Sequence, residues 1–314
     1  MIKKVAVIGA GIMGGNIGLA CALAGYEVSI TRKNAALLEK TKEEISAAAG
    51  LLVSEGVISE ADQKAALDRI ACLPDLREAV SGAQLVIEAV TEKLPVKHAV
   101  FAEVEGYVSS GAILASNSST FPVTQIAEVL KNPARACSLH FYNPAHLIPL
   151  VEVVPGRATS RETVEELYRF AESIGKKPVT CKESPGFLGV RLQAALVTEA
   201  FRMLAEGVAT AEDIDAAVSL SFGFRLAHYG PLKIVDLGGV DTFVYAYDFM
   251  ADALHDEKWR APEAVRNMVA EGRLGVKTGQ GFYDYRDVDG SALRLERDRK
   301  FIAQLKSMGY LKRR

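Results

Sequence analysis

The sequence predicts an α/β protein in which a doubly wound, Rossmann-type domain precedes an all-helical domain. Short apolar segments alternate with helical segments in the first half, and a glycine-rich turn follows the first apolar segment. After about residue 183 the pattern becomes almost wholly helical. Alternating strands and helices are typical of a parallel sheet that helices cover on both faces. We therefore place the first domain at residues 1–183 and the helical domain at residues 184–314.

The predicted strands are short, apolar and rich in β-branched residues, as expected for buried parallel strands. They cover residues 4–8, 28–32, 85–90, 113–116, 138–142 and 150–154, with a further strand at 178–181. Helices are predicted between them at residues 13–24, 35–54 and 96–108. In the second half, helices are predicted at residues 188–206, 210–221, 242–254 and 293–306.

Composition and charge exclude several classes of protein. The chain has 314 residues, and its 37 basic and 39 acidic residues give a net charge of −2, so nucleic acid is not an expected partner. The four cysteines are far apart, which argues against a zinc site or disulfides and favours a cytoplasmic protein with reduced thiols. The uncharged run at residues 5–26 contains six glycines, so it makes a poor membrane span. We expect neither a metal site nor membrane association.

Residues 9–14 form a G-x-G-x-x-G motif between the first strand and the first helix. The first glycine permits a tight turn, the second lets the backbone approach a pyrophosphate, and the third allows the helix to pack closely on the strand. The N–H groups at the start of the helix then face the phosphates. The motif predicts a dinucleotide site. Its predicted contacts are Gly9, Gly11, Ile12, Met13 and Gly14.

The end of the second strand lacks the acidic residue that usually binds the adenosine ribose of NAD. Arg32 stands there instead, and Lys33 follows it. A carboxylate at this place repels a 2′-phosphate, whereas a guanidinium attracts one. Our hypothesis is that NADP is accepted, or preferred, at this position. The alternative is that Arg32 only stacks on the adenine of NAD, and both remain open here.

A histidine and a glutamate lie where two later strands approach the same edge of the predicted sheet. His140 is near the end of one strand, Glu152 is on the next, and Asn143 with Pro144 turns the chain between them. An imidazole can take the proton of an alcohol while hydride leaves its carbon. A carboxylate behind the ring fixes the tautomer and stabilises the imidazolium. Spacing alone does not distinguish this pair from an ordinary hydrogen-bonded histidine.

Together with motifs that extend to about Tyr285, these residues resemble the L-3-hydroxyacyl-CoA dehydrogenase family. The matching segments are residues 9–14, 86–90, 92, 97, 115–117, 140–144, 150–153, 185–187, 230–231 and 277–283. The resemblance implies an oxidoreductase of fatty acid metabolism that transfers hydride between C3 of a 3-hydroxyacyl substrate and NAD or NADP. It also implies an N-terminal Rossmann domain and a helical C-terminal domain that forms a homodimer.

The resemblance also implies roles for individual residues. His140 acts as general base in oxidation and general acid in reduction, and Glu152 orients it. Ser119 hydrogen-bonds the reacting oxygen, and Asn143 positions the nicotinamide and the substrate, so both also contact the cofactor. The other implied cofactor contacts are Glu92, Lys97 and Lys277. Without the resemblance, Glu92 and Lys97 would be interpreted as a helix-surface pair and Lys277 as a solvated loop residue.

The sequence departs from the family pattern in the cofactor region and in the substrate region. Arg32 replaces the ribose-binding acid, and Val190 replaces an active-site Asn. Ala48 and Glu55 stand where CoA-using members carry a Ser and a Lys. The tail beyond Tyr285 is similar to that of relatives that oxidise free hydroxy acids, such as L-gulonate 3-dehydrogenase and carnitine dehydrogenase.

Three functions are therefore open at this point. The first is a 3-hydroxyacyl-CoA dehydrogenase, and the second is the same chemistry on a free 3-hydroxy acid without CoA. The third, more remote, is a non-catalytic protein that binds NAD or NADP.

Overall fold

The computed structural model describes residues 2–32 and 34–311 of the chain. The chain divides into two compact units, Met1–Val197 and Thr198–Arg314. The division falls within a long helix, and the predicted domain boundary at residue 183 remains a prediction.

The first unit is built on one eight-stranded sheet with strand order β3-β2-β1-β4-β5-β6-β7-β8. The strands are β1 (Lys4–Ile8), β2 (Glu27–Thr31), β3 (Ile70–Leu73), β4 (Leu85–Glu88), β5 (Ile113–Ser116), β6 (Ala136–Phe141), β7 (Leu150–Pro155) and β8 (Lys177–Thr180). This order confirms the predicted doubly wound fold.

Two features of the sheet differ from the sequence prediction. Strand β3 was not predicted, because none of its four residues is buried and its apolar pattern is short. The pair β6–β7 is antiparallel, whereas every other neighbouring pair is parallel. An antiparallel pair needs no crossover helix, and the chain passes from β6 to β7 through the short segment 142–149.

Seven helices of the first unit connect the strands. They are α1 (Ile12–Leu23), α2 (Ala35–Ser54), α3 (Glu60–Asp68), α4 (Leu76–Val80), α5 (Leu94–Glu105), α6 (Val123–Ile126) and α7 (Arg161–Ser173). Helices α3, α4, α6 and α7 are not among the helices predicted from the sequence. In α3 only Ala66 is buried and no apolar stripe is present. Its capping box, formed by Ser59 and Asp62, was the available sequence signal.

The core of this unit lies on both faces of the sheet. Val5 and Val7 pack into a cluster with residues of α1 and α2, whereas Ala6 and Ile8 pack into a second cluster with residues of α5. This alternation follows the two-residue period of a strand that is buried on both faces. The central strands are therefore held rigidly, and the loops that follow them start from fixed positions.

The second unit is helical, as predicted. Its helices are α8 (Gly189–Ala205), which begins in the first unit, α9 (Ala211–Leu220), α10 (Phe222–Leu226), α11 (Pro231–Gly238), α12 (Val240–Leu254), α13 (Glu263–Ala270) and α14 (Gly290–Ser307). Short 3-10 turns lie at Glu257–Trp259 and Val276–Thr278 in this unit, and at Ala127–Val129 and Pro133–Arg135 in the first unit. Across the described ranges 2–32 and 34–311, no helix is both long and apolar enough to span a bilayer.

A buried aspartate organises the loop that follows α13. Asp236 on α11 is 1% exposed. Its carboxylate accepts hydrogen bonds from the backbone N–H groups of Phe282 and Tyr283 and from the hydroxyl of Tyr285, each at 3.0 Å. The bonds replace the water that this charge loses on burial. Asp236 therefore holds the loop against α11.

Candidate active site

The carboxyl ends of β1, β2, β4, β5 and β6 lie along one edge of the sheet, because these strands are mutually parallel. Open α/β sheets bind ligands at this edge. The glycine motif follows β1, and Arg32 follows β2. His140 lies on β6 one residue from its end. The fold thus brings most of the predicted site residues to one side of the first unit.

The three glycines of the motif differ in what surrounds them. Gly9 has φ +112°, and a Cβ there would lie 2.3 Å from the carbonyl oxygen of Ala89. A Cβ on Gly14 would lie 1.7 Å from the carbonyl oxygen of Gly9. At Gly11, in contrast, a Cβ would have no heavy atom of the described chain within 4 Å. Packing explains two of the glycines, and the third leaves open space beside the start of α1, which fits a pyrophosphate.

A cavity of about 880 Å³ lies beside this loop. It is lined by the loop itself, the ends of β2 and β4, the start of α4 and one face of α5. A pocket of this size is sufficient for a nucleotide. Arg32 lines the cavity, and its Nη1 donates a hydrogen bond to the carbonyl oxygen of Ala10 at 3.2 Å. Lys33, which was considered with Arg32 in the sequence, lies outside the described residues.

His140 and Glu152 face each other across the antiparallel pair β6–β7. Nδ1 of His140 lies 2.7 Å from Oε2 of Glu152, and the two residues are 5% and 0% exposed. Because a carboxylate is the acceptor, the imidazole Nδ1 is the donor in this bond. The other ring nitrogen, Nε2, is then the one available for exchanging a proton with a substrate.

The Glu152 carboxylate accepts three further hydrogen bonds. Oε2 receives one from the Tyr142 hydroxyl at 2.9 Å, and Oε1 receives one each from the N–H groups of Leu188 and Gly189 at 3.0 Å. Burial alone would raise the pKa of this carboxyl, but the bonds from His140, Gly189, Tyr142 and Leu188 lower it below its usual value. Glu152 therefore stays ionised and holds the imidazole in one orientation.

The segment before α8 supplies two of these donors. Gly186 and Phe187 both adopt positive φ, +74° and +46°, and this turn directs the next two N–H groups at Glu152. The buried Phe187 ring lies 5.9 Å from the His140 ring, centre to centre. A Cβ on Gly189 would lie 2.0 Å from the Tyr142 hydroxyl. Neither Tyr142 nor Phe187 is among the site residues predicted from the sequence, although both lie within the family motifs at residues 140–144 and 185–187.

Ser119 and Asn143 lie in the loops that follow β5 and β6. Ser119 is half-buried, and Asn143 is exposed. The two loops are adjacent, because the Asn117 side chain accepts a hydrogen bond from the Phe141 N–H at 2.8 Å. The roles of Ser119 and Asn143 at the reacting oxygen and the nicotinamide remain predictions.

Glu92 and Lys97 belong to one ionic cluster with Glu88 and do not form a helix-surface pair. Lys97 and Glu88 are buried in this cluster, whereas the Glu92 side chain is 38% exposed. Lys97 is 1% exposed, and its Nζ lies 2.9 Å from Oε1 of Glu88 and 2.9 Å from Oε2 of Glu92. Glu88 also accepts bonds from the Val90 N–H and the Ser116 hydroxyl. Glu88 was missed in the sequence because it ends an apolar strand. The predicted cofactor contacts of Glu92 and Lys97 remain predictions.

Lys277 belongs to the second unit. Its Nζ lies 2.5 and 2.7 Å from the two carboxylate oxygens of Asp241 at the start of α12. This exposed pair bridges α12 and the loop after α13. The predicted contact between Lys277 and a cofactor also remains a prediction.

A glycine loop that fits a pyrophosphate and a histidine–carboxylate pair at the same sheet edge define a dinucleotide-dependent dehydrogenase. Comparison with known families identifies which one. The family described as "3-hydroxyacyl-CoA dehydrogenase, NAD binding domain" matches residues 4–184, and "3-hydroxyacyl-CoA dehydrogenase, C-terminal domain" matches residues 186–285. The chain belongs to the 3-hydroxyacyl-CoA dehydrogenase family, whose cofactor is NAD.

Similar proteins include 3-hydroxyacyl-CoA dehydrogenases and a dehydrogenase named for a pyridine carboxylate. The chain is 36% identical to a probable 3-hydroxybutyryl-CoA dehydrogenase of Deinococcus radiodurans, over 90% of this chain and 100% of that protein. It is 33% identical to 5-formyl-3-hydroxy-2-methylpyridine 4-carboxylate 5-dehydrogenase of Mesorhizobium japonicum, over 96% and 97%. The crystal structure of a 3-hydroxyacyl-CoA dehydrogenase from Archaeoglobus fulgidus matches with a TM-score of 0.82 at 35% identity, covering 98% of this chain and 99% of that one.

Proposed function

We propose that this protein oxidises the C3 hydroxyl of 3-hydroxyacyl-CoA thioesters to the 3-oxo group and catalyses the reverse reduction. The observation that carries the proposal is the 2.7 Å contact between Nδ1 of His140 and the buried carboxylate of Glu152. The pair lies on the sheet that also carries the nucleotide loop. The family assignment supports a 3-hydroxyacyl group as the substrate.

In the oxidation, Nε2 of His140 takes the proton of the C3 hydroxyl. The nicotinamide ring of a bound dinucleotide would supply the acceptor for the hydride that leaves C3. The imidazolium that forms is stabilised by the adjacent Glu152 anion, whose pKa is already lowered. In the reduction, His140 returns the proton to the 3-oxo oxygen. Ser119 and Asn143 are proposed to hydrogen-bond the reacting oxygen and to position the nicotinamide.

The direct test is a spectrophotometric assay of the purified protein with 3-hydroxybutyryl-CoA and with free 3-hydroxybutyrate, each with NAD and with NADP. Reduction of the dinucleotide with the CoA ester supports the proposal. Turnover of the free acid alone contradicts the CoA assignment while retaining the chemistry. No turnover of either compound, in protein that binds the dinucleotide, contradicts both.

A second candidate function is the same chemistry on a free 3-hydroxy acid. Glu55, at the end of α2, is exposed, and its carboxylate would repel the phosphates of CoA at the position where CoA-using relatives carry a Lys. The M. japonicum relative that matches nearly the whole chain is named for a pyridine carboxylate. These observations favour a small carboxylate substrate.

Charge reversal at Glu55 tests this candidate. If CoA is the natural carrier, Glu55→Lys increases kcat/KM for the CoA ester by only a few-fold, because the repulsion acts between solvated groups. If the free acid is the substrate, the same change leaves its kcat/KM unaltered. The control is Glu43→Lys, which makes the same change of net charge at another exposed position of α2.

We also propose that the protein is a cytoplasmic homodimer. No residue of α8 is buried, although Leu192, Leu196, Phe201 and Leu204 are large and apolar. Exposed apolar surfaces of this kind are typical of protein interfaces. Light scattering should give about twice the 33.8 kDa mass of one chain, and a monomer would contradict the dimer. The four dispersed free cysteines support a reducing compartment.

A further inference from the structure

We propose that the nucleotide cavity selects NADP(H) over NAD(H), and that Arg32 and Arg77 bind the 2′-phosphate between them. The inference rests on the dinucleotide site of the proposed function and adds the form of the dinucleotide. NAD remains a cofactor of the site, with lower efficiency. Arg77 was not identified in the sequence and enters through its position in the structure.

Arg32 stands directly after β2, where the adenosine ribose of a bound dinucleotide lies in this fold. Nη1 donates to the carbonyl oxygen of Ala10, so the guanidinium is held against the glycine loop. A guanidinium has five N–H donors and no acceptor. The remaining donors suit phosphate oxygens, whereas a ribose hydroxyl pair is best matched by a carboxylate that accepts from both.

Arg77 reaches the same cavity from the neighbouring strand. β3 pairs with β2 in parallel, with Leu73 opposite Thr31, so the residues after β3 lie beside those after β2. Arg77 is four residues past the end of β3, on α4, and it lines the cavity with Arg32. Its guanidinium lies 5.5 Å from the centre of the Tyr107 ring. The ring supports the side chain without neutralising its charge.

Within the described part of the chain, neither Arg32 nor Arg77 forms an ion pair with a carboxylate. Two carboxylates, Asp75 and Glu103, also line the cavity, but neither follows β2. Asp75 accepts a hydrogen bond from the Glu78 N–H at 2.7 Å and so caps α4, and Glu103 accepts from the Tyr107 hydroxyl at 3.4 Å.

The chemistry of the ligand follows from this arrangement. A phosphomonoester carries a charge of about −1.5 to −2 near neutral pH and three acceptor oxygens, which two guanidinium groups can share. Two molecules of the reaction contain such a group on an adenosine: NADP at the 2′ position and CoA at the 3′ position. The place of Arg32 beside the glycine loop favours NADP, because that loop holds the pyrophosphate of the dinucleotide.

Calorimetric titration of the full chain with small nucleotides tests the binding step without turnover. The probes are adenosine 2′,5′-bisphosphate, adenosine 3′,5′-bisphosphate and 5′-AMP. We expect the 2′,5′-bisphosphate to bind about tenfold or more tightly than 5′-AMP, with an advantage that shrinks as salt is added. Preference for the 3′,5′-bisphosphate would assign the arginines to CoA and overturn the proposal. Equal affinity for all three would leave Arg32 only stacking on adenine and would also overturn it.

Variants separate the two arginines. Arg32→Asp should abolish the advantage of the 2′,5′-bisphosphate, and Arg77→Gln should reduce it several-fold while the affinity for 5′-AMP is unchanged. The control is Arg161→Gln, an exposed arginine on α7 that does not line the cavity, and it should retain the advantage. An unchanged advantage in both cavity variants would overturn the assignment of these residues.

Kinetics completes the test. The ratio of kcat/KM with NADP to kcat/KM with NAD should exceed one in the natural protein and fall below one in Arg32→Asp. A ratio below one in the natural protein overturns the inference and leaves the proposed reaction intact. Conversely, tight binding of the 2′,5′-bisphosphate without turnover of any hydroxyacyl compound would contradict the proposed function and leave the inference intact.

Discussion

Each of the two compact units contains a buried, hydrogen-bonded carboxylate. Glu152 in the first unit is 0% exposed and Asp236 in the second is 1% exposed. Glu152 accepts hydrogen bonds from two backbone N–H groups, a tyrosine hydroxyl and an imidazole. Asp236 accepts from two backbone N–H groups and a tyrosine hydroxyl. The two environments thus differ mainly by one partner, the ring of His140.

That one partner separates a proton-transfer site from a structural one. Burying a carboxylate is costly unless hydrogen bonds replace its water, and both residues meet this requirement in the same way. The imidazole is the partner that can exchange a proton with a substrate. A buried carboxylate whose hydrogen bonds are all made therefore indicates a constraint on the fold. Its function depends on which side chain it binds.

The burial of Asp236 also explains part of the family motif at residues 277–283. A Cβ on Gly281 would lie 2.1 Å from Oδ1 of Asp236, and one on Gly275, two residues before the motif, would lie 2.3 Å from its carbonyl oxygen. The glycines are thus needed for the loop to close over Asp236. This part of the motif serves the fold, although Lys277 within it is predicted to contact the cofactor.

The largest expected effect comes from removing the partner that distinguishes the two sites. His140→Gln should lower kcat by about 10²- to 10⁴-fold, because glutamine cannot act as a general base. Binding of reduced dinucleotide, followed by nicotinamide fluorescence, should survive. The matched control is His98→Gln, since the one hydrogen bond of the His98 ring within the described residues is to the carbonyl oxygen of Gln125 at 2.8 Å. Normal turnover in His140→Gln would remove His140 from the mechanism.

A smaller effect, of a different kind, is expected at the second carboxylate. Asp236→Asn presents an amide NH₂ to donors, so the free energy of unfolding should fall by about 1–3 kcal/mol. Urea denaturation measures this change. A loss of kcat as large as that of His140→Gln, in fully folded Asp236→Asn, would mean that the two carboxylates do not differ as described.

The sequence predicted those parts of the site that lie in regular apolar segments or in recognisable motifs. The strands β1 and β5 and the glycine turn follow from segments that are short and regular. The pair His140 and Glu152 stood on neighbouring predicted strands, but only the resemblance to the family gave it a role. The further partners of Glu152 were not predictable in this way. Leu188 and Gly189 are 36 and 37 residues from Glu152 in the chain. They donate through backbone N–H groups, which almost every residue has, so the residue type does not indicate the contact.

The buried cluster around Lys97 shows the same limit. Glu88 is nine residues from Lys97 and lies on a strand, whereas Lys97 lies on α5. Helical spacing predicts pairs only three or four residues apart. The contact arises because α5 packs back on the sheet, which is a tertiary feature. Two of the missed elements, β3 and α3, bury too little apolar surface to produce a periodic pattern.

The smallest expected effect concerns the hydrogen bond that a tyrosine hydroxyl donates to each of the two buried carboxylates, from Tyr142 to Glu152 and from Tyr285 to Asp236. Tyr142→Phe removes one of the four bonds to Glu152, so its lowered pKa should rise toward the usual value of about 4.3. A lowered carboxyl pKa stabilises the folded state above the unfolded pKa, and this stabilisation is lost as pH falls through the folded pKa. The variant should therefore be less stable at neutral pH and lose less stability on acidification. Urea midpoints measured between about pH 3 and 7 give this difference, and kcat should fall only a few-fold because His140 keeps its partner. If Tyr142→Phe leaves the pH dependence unchanged, the hydroxyl does not hold the Glu152 charge.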